Sequence, residues 1–186
     1  MPNVNPTASA TGLTGFNALD AAEAEAGLLA CCGSRVFARR VAALRPYRDL
    51  AQLAEAAGAA VGDLSWPDVR EALAAHPRIG GPPRDGGRAE RAGGTERESS
   101  WSRREQSGVD GAGRAVLDGL AEGNRLYEER FGHLYLVCAT GLTAEEMLAR
   151  LRERLRNDEA TERDVVRAEL AKITRLRVAK LLGEGV

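Results

Sequence analysis

Apolar side chains recur along this chain at spacings of three and four, the period of helices that bury one face. Leu19, Ala22, Ala26 and Leu29 form the first stripe, and Asn17 stands where a cap belongs, so the spacing predicts a helix from Asn17 through Ala30. Gly33-Ser34 interrupts it. Ser34 then opens a second helix carrying Phe37, Val41 and Leu44, which Pro46 ends. Asp49 starts a third, with Leu50, Leu53, Ala57 and Val61 as its stripe. Ser65, with Asp68 three residues on, starts a fourth that runs over Val69, Ala72 and Leu73 to His76.

The pattern then lapses. Between Gly80 and Ser100 lie six glycines, two prolines and many charges with almost nothing apolar, which predicts a mobile loop over about residues 80–100. Trp101 restarts the fold, and Ser102 with Glu105 has the spacing of a capping box at a fifth helix. After Gly111 and Gly113 a longer helix carries Leu117, Leu120, Asn124, Tyr127 and Phe131. Leu134-Tyr135-Leu136-Val137-Cys138-Ala139 is too short for a core helix and reads as a buried extended or irregular run. Thr143 with Glu146 forms another capping box before Met147, Leu148, Leu151 and Leu155. A last helix follows Asn157-Asp158 and reaches about Leu182. The expectation is all-α: a single-domain bundle of about eight helices around one core over residues 15–186, after a flexible tail over residues 1–14.

Composition narrows the class. The 186 residues suffice for one well-buried core, and aromatics at 4% beside abundant alanine favour helices over a β-sandwich. Twenty-six basic against 27 acidic side chains leave a net charge of −1, which argues against nucleic acid or an anionic membrane as partner. No apolar run approaches the ~20 residues of a membrane span. Three cysteines, two of them adjacent, make a poor disulfide framework and read as reduced cytosolic thiols, hence a cytoplasmic protein. Neither Cys-x-x-Cys nor His-x-x-x-His occurs, so no metal is expected. The first 14 residues have no basic start or apolar centre and do not read as a signal peptide.

Chemistry concentrates at few positions. There are two histidines, and His76 sits where Pro77 stops a helix. It is either a helix-terminal residue that complements the dipole or a proton-transfer group near neutral pH. Glu105 either satisfies a cap or serves as the carboxylate near that imidazole, and Gln106 adds an amide that donates and accepts. Arg177 falls inside the apolar stripe Val166, Leu170, Ile173, Arg177, Leu181. An arginine there snorkels, meets a structural carboxylate, or binds an anion. His133 reads as a structural turn residue.

Taken together these blocks resemble one family. Phe16-Asn17-Ala18-Leu19, Cys31-Cys32-Gly33-Ser34, Arg45-Pro46-Tyr47, His76-Pro77-Arg78-Ile79-Gly80 and Ser102-Arg103-Arg104-Glu105-Gln106 occur in the order seen in the 2-oxo-4-hydroxy-4-carboxy-5-ureidoimidazoline (OHCU) decarboxylases of urate breakdown. Asn124, Tyr127, Phe131 and Gly132, the Val137-Cys138-Ala139 run, Arg154-Leu155-Arg156-Asn157-Asp158 and Leu176-Arg177 extend the likeness over about residues 16–182. It implies an all-α homodimer, without metal or organic cofactor, that converts OHCU to (S)-allantoin. It implies His76 for proton transfer at the hydroxyl-bearing carbon, and Glu105 to orient His76 or the substrate hydroxyl. Pro77, Ser102, Gln106, Arg177 and the backbone of Val137, Cys138 and Ala139 would line the substrate site. Where relatives usually continue with arginine after Cys-Ala, this chain has Thr140. Two alternatives stand beside this: a non-catalytic helical interaction module, and a decarboxylase for another ureido acid.

Overall fold

The computed structural model describes residues 12–81 and 96–183. Most of the expected loop and the first 11 residues of the expected tail lie outside them. Nine α-helices and no strand occur among the described residues: α1 (Gly12–Ala18), α2 (Ala21–Cys32), α3 (Arg35–Ala43), α4 (Leu50–Gly62), α5 (Trp66–Ala75), α6 (Glu96–Glu105), α7 (Arg114–Phe131), α8 (Ala144–Arg154) and α9 (Glu159–Leu181).

Most helix starts follow from local chemistry. Asp20, Ser34, Asp49, Ser65, Thr143 and Asp158 each accept a backbone N–H from the first turn through their side chains. Such caps satisfy donors that no helix can satisfy internally. Thr143 and Glu146 form the full reciprocal box. Gly33 ends α2 in the left-handed region at φ 79°. A Cβ there would also come within 2.8 Å of the Ala75 Cβ, so α2 ends directly against the last turn before His76.

Four expectations about the helices fail here. The first stripe is two helices, because the chain breaks at Leu19-Asp20 and its register restarts. Ala24, Leu28, Ala30, Cys31 and Cys32 face inward, while Ala22 and Ala26 are exposed. Alanine buries little surface, so its spacing weakly selects a face. Asn17 caps nothing; its side chain donates to the Tyr47 carbonyl (2.8 Å) and accepts the Tyr47 N–H (2.9 Å). Beside it Arg45 donates to the Phe16 and Leu19 carbonyls at 2.9 and 2.7 Å, closing the end of α1. Third, Leu44 stands 60% exposed, just past α3. The fourth failure is the box at Ser102, taken up below.

The interior forms two apolar clusters instead of the one core expected. α9 packs on α4 and α2, and α3 joins them, around Phe16, Leu28, Phe37, Leu53, Val69 and Leu170. α7 and α8 pair around Leu120, Tyr127, Met147 and Leu151. Residues 134–139 run extended between the two. Leu134, Leu136 and Cys138 join the first cluster, and Tyr135, Val137 and Ala139 the second, the alternation of a strand that has no sheet.

Candidate active site

His76 owes its position to the residue after it. Proline disfavours helical backbone in the preceding residue, and His76 is extended (φ −87°, ψ 142°), so α5 ends there. Its imidazole folds back over the last turn, with Nδ1 2.9 Å from the Ala72 carbonyl oxygen. A carbonyl only accepts, so Nδ1 carries a proton; a guanidinium only donates, so its approach to the other ring nitrogen fits a lone pair at Nε2. That nitrogen faces Arg177 Nη1 at 3.4 Å, in an environment where His76 is 3% exposed. The turn after Pro77 is tied to α7. Asn124 donates to the Ile79 carbonyl at 2.9 Å, and Arg78 forms a two-bond pair with Glu128.

Arg177 is the most buried large side chain of the site, at 1% exposure, as its place in the apolar stripe of α9 allowed. Its Nε and Nη2 donate to the two oxygens of Glu105 at 3.1 and 2.8 Å, and Nη2 also donates to Ser102 Oγ at 2.9 Å. Lys180, one turn further along α9, donates to Glu105 Oε1 at 3.3 Å. Burial alone would push the Glu105 carboxyl up. The hydrogen bonds and charge of Arg177, joined by Lys180, outweigh it and hold the group below the usual glutamate range. Glu105 is therefore a fixed anion at neutral pH, and it sits on the edge of the guanidinium opposite the one that meets His76.

Ser102 and Glu105 are not a cap. α6 spans Glu96–Glu105, so both lie in its final turn, one above the other on the face toward α9. A spacing of three serves a capping box and a helix face equally well. Residues 96–100 carry no apolar period to reveal that the helix has already begun. The helix start expected at Ser102 is therefore a helix end, and the Ser102 and Glu105 side chains reach Arg177 from the last turn of α6. Gln106 follows the helix and is half-buried; its backbone N–H donates to the Ser102 carbonyl. Pro77 is half-buried, and Val137 and Ala139 are buried.

Cys138 corrects a further expectation. Its backbone N–H, expected to face substrate, donates to Glu169 Oε2 at 2.7 Å. Burial pushes the Cys138 thiol up, with the carboxylates of Glu169 and Glu105 adding to it, so this segment lies in the field of the same cluster. Thr140 is exposed in the turn that follows.

Sequence reasoning missed Lys180 and Glu169. Both stand on α9 at helical spacing from Arg177, a signal visible only once Arg177 is known to face inward. His133 matches its expected structural part. It packs edge-on to Trp66 and Tyr127 at ring separations of 5.2 and 5.4 Å, and burial pulls its titration down. Among the described residues no cluster of His, Cys, Asp or Glu has the form of a metal site, and no helix is long and apolar enough to cross a membrane.

Comparison with known proteins meets this arrangement from another side. A model of the OHCU decarboxylase family matches residues 17–179. The chain is 33% identical over 154 residues to the uric acid degradation bifunctional protein TTL of Arabidopsis thaliana, covering 83% of this chain and 46% of that protein. It is 42% identical over 76 residues to the 2-oxo-4-hydroxy-4-carboxy-5-ureidoimidazoline decarboxylase of Amia calva, covering 38% and 43%. These alignments span less than half the length of either curated relative. A crystal structure of OHCU decarboxylase in the presence of (S)-allantoin superposes with a TM-score of 0.67 and 31% identity, over 83% of this chain and 96% of that one. An (S)-allantoin synthase crystal structure, at 18% identity and a TM-score of 0.65 over 95% of this chain and 54% of that one, shares the fold.

Proposed function

The chain belongs to the OHCU decarboxylase family, and from that premise we propose that it releases carbon dioxide from OHCU to yield (S)-allantoin in urate degradation. The observation that carries the reading is the convergence of His76, Ser102, Glu105 and Arg177. Separated by up to 101 residues in sequence, they form one connected, buried cluster.

The substrate carries its own electron sink. One ring carbon bears both the hydroxyl and the carboxylate, and its neighbour is a ring C=N carbon bearing the ureido group. When the carbon–carboxylate bond breaks, its electron pair enters the ring as a carbon–carbon double bond. The ring nitrogen takes a proton from solvent, which balances the lost carboxylate charge. His76 Nε2 then accepts the hydroxyl proton as the carbonyl forms, and the imidazolium returns that proton to the ureido-bearing carbon on one face. This single-sided delivery makes the product chiral. Arg177, kept rigid by Glu105 and Ser102, holds a carboxylate or carbonyl oxygen of the ring. Gln106 and Pro77 contact the ureido and ring portions, with Val137, Cys138 and Ala139 as the opposite wall. Removing water from around the carboxylate favours its loss as neutral carbon dioxide.

No step asks for a metal or organic cofactor. In the same reading residues 15–186 form one catalytic domain that acts in the cytoplasm as a homodimer. OHCU made freshly from urate with urate oxidase and hydroxyisourate hydrolase tests the activity. Circular dichroism should report rapid appearance of optically active allantoin. Racemic product formed at the uncatalysed rate would leave the helical interaction module as the better account.

A further inference from the structure

An extended backbone outside a sheet still carries a donor and an acceptor at every residue, and burial obliges each to find a partner. Residues 134–139 face this problem without a neighbouring strand among the described residues. On one side the Leu136 carbonyl accepts from Arg154 Nη1 at 2.6 Å. On the other the Cys138 N–H reaches Glu169, whose second oxygen accepts from Lys172 at 2.6 Å. Glu169 is 6% exposed and stands on α9, the helix that also carries Arg177. The bond is charge-assisted and therefore stronger than a strand-to-strand one. Both of its ends are anchored, one in the segment and one in the helix.

We propose that Glu169 is a positioning residue of the site. It takes the place of a neighbouring strand and sets how far the 137–139 wall stands from Arg177. The inference rests on the function proposed above. Apolar packing of Leu136, Val137 and Ala139 resists withdrawal of the wall but tolerates sliding along its own direction. The Arg154 bond to the Leu136 carbonyl pins one end of the run, and the bond from the Cys138 N–H to the fixed Glu169 carboxylate pins the 137–139 stretch. Glu169 touches no reacting atom and acts through the wall alone.

Two variants separate this from a merely structural part. Glu169→Met keeps the length and removes the acceptor, whereas Glu169→Gln keeps a neutral acceptor. In Glu169→Met, KM should rise on the order of tenfold while kcat changes less than about threefold, because a displaced wall loses ground-state and transition-state contacts alike. Glu169→Gln should bring KM back to within about threefold of the parent, since the amide still accepts the Cys138 N–H. Hydrogen exchange gives a second reading. The Cys138 amide should be protected in the parent and exchange at least about tenfold faster in Glu169→Met, with the amides of α4 unchanged. A folded Glu169→Met enzyme with parental KM would overturn the proposal. So would a Glu169→Gln enzyme as impaired as Glu169→Met, or a parental Cys138 amide that exchanges as freely as those of the exposed turn at Gly141. If Glu169→Met does not fold, the parental exchange rate and the Glu169→Gln KM decide. Exchange needs no turnover, so a parent inactive on OHCU would strike the function proposal while the amide still judges the clamp.

Discussion

Among the described residues two arginine–glutamate pairs are buried to nearly the same degree, and they do different work. Arg154 and Glu162, at 2.6 Å, are eight residues apart at the junction of α8 and α9. Glu162 also takes the Tyr127 hydroxyl and the Asn157 amide, and Arg154 lies over the Tyr135 ring at 4.7 Å and fills the Leu136 carbonyl. Burial drives the Tyr127 hydroxyl far up, with Glu162 adding to it, so the phenol keeps its proton at neutral pH. Arg177 and Glu105, at 2.8 Å, are 72 residues apart, and the arginine also meets an imidazole. A buried ion pair is therefore no mark of a site by itself. The difference lies in the neighbours: the second pair meets an imidazole, the first a phenol, an amide and a backbone carbonyl.

The contrast can be broken from either side. The largest effect is expected at the second pair. His76→Asn should lower kcat/KM by about 10²–10⁴, the usual weight of a positioned acid–base group, with helix content and melting temperature little changed. An Asn variant with near-parental turnover would remove His76 from the chemistry. Next comes the first pair, where Glu162→Ala leaves the Arg154 charge buried without its carboxylate. It should cost about 3–5 kcal/mol in urea unfolding, while turnover of the folded fraction falls far less than in His76→Asn. An unchanged unfolding midpoint would contradict the structural assignment.

The smallest effect is electrostatic. The folded Glu105 carboxyl titrates below its ordinary value of 4.5, so the unfolded chain takes up that proton first as acid is added. The stability it contributes is complete above that value and is lost as pH falls through the lowered one. Urea midpoints measured between about pH 6 and pH 3 should therefore drop, and drop less steeply in Glu105→Gln. Equal slopes would mean that Glu105 is not held as described.

Much of the helical framework was legible because its signals are local. Ser34, Asp49, Ser65, Thr143 and Asp158 each do at a helix start what a short polar side chain does there, whatever packs above. Arg177 was legible too, since a cation inside an apolar stripe must find a partner. The first helix and the Ser102 box were misread for one reason. Ala22 and Ala26 carry too little burial energy to announce a face, and a spacing of three fits a cap as well as a helix flank. The motif residues Phe16, Asn17, Arg45 and Tyr47 belong to the fold, where they lock the end of α1 to the turn before α4.

From its residues alone this chain determined a helical protein, with an imidazole stationed by proline at a helix end and an arginine turned inward on the last helix. Those outcomes depend on backbone sterics and side-chain polarity within a few positions. Tertiary packing decided which acid Arg177 would meet, that Lys180 would join it, that Glu169 would meet the Cys138 N–H, and that residues 134–139 would run between two clusters with helix side chains in place of a sheet. Such choices depend on how α6 and α9 approach one another, and no local spacing carries that distance.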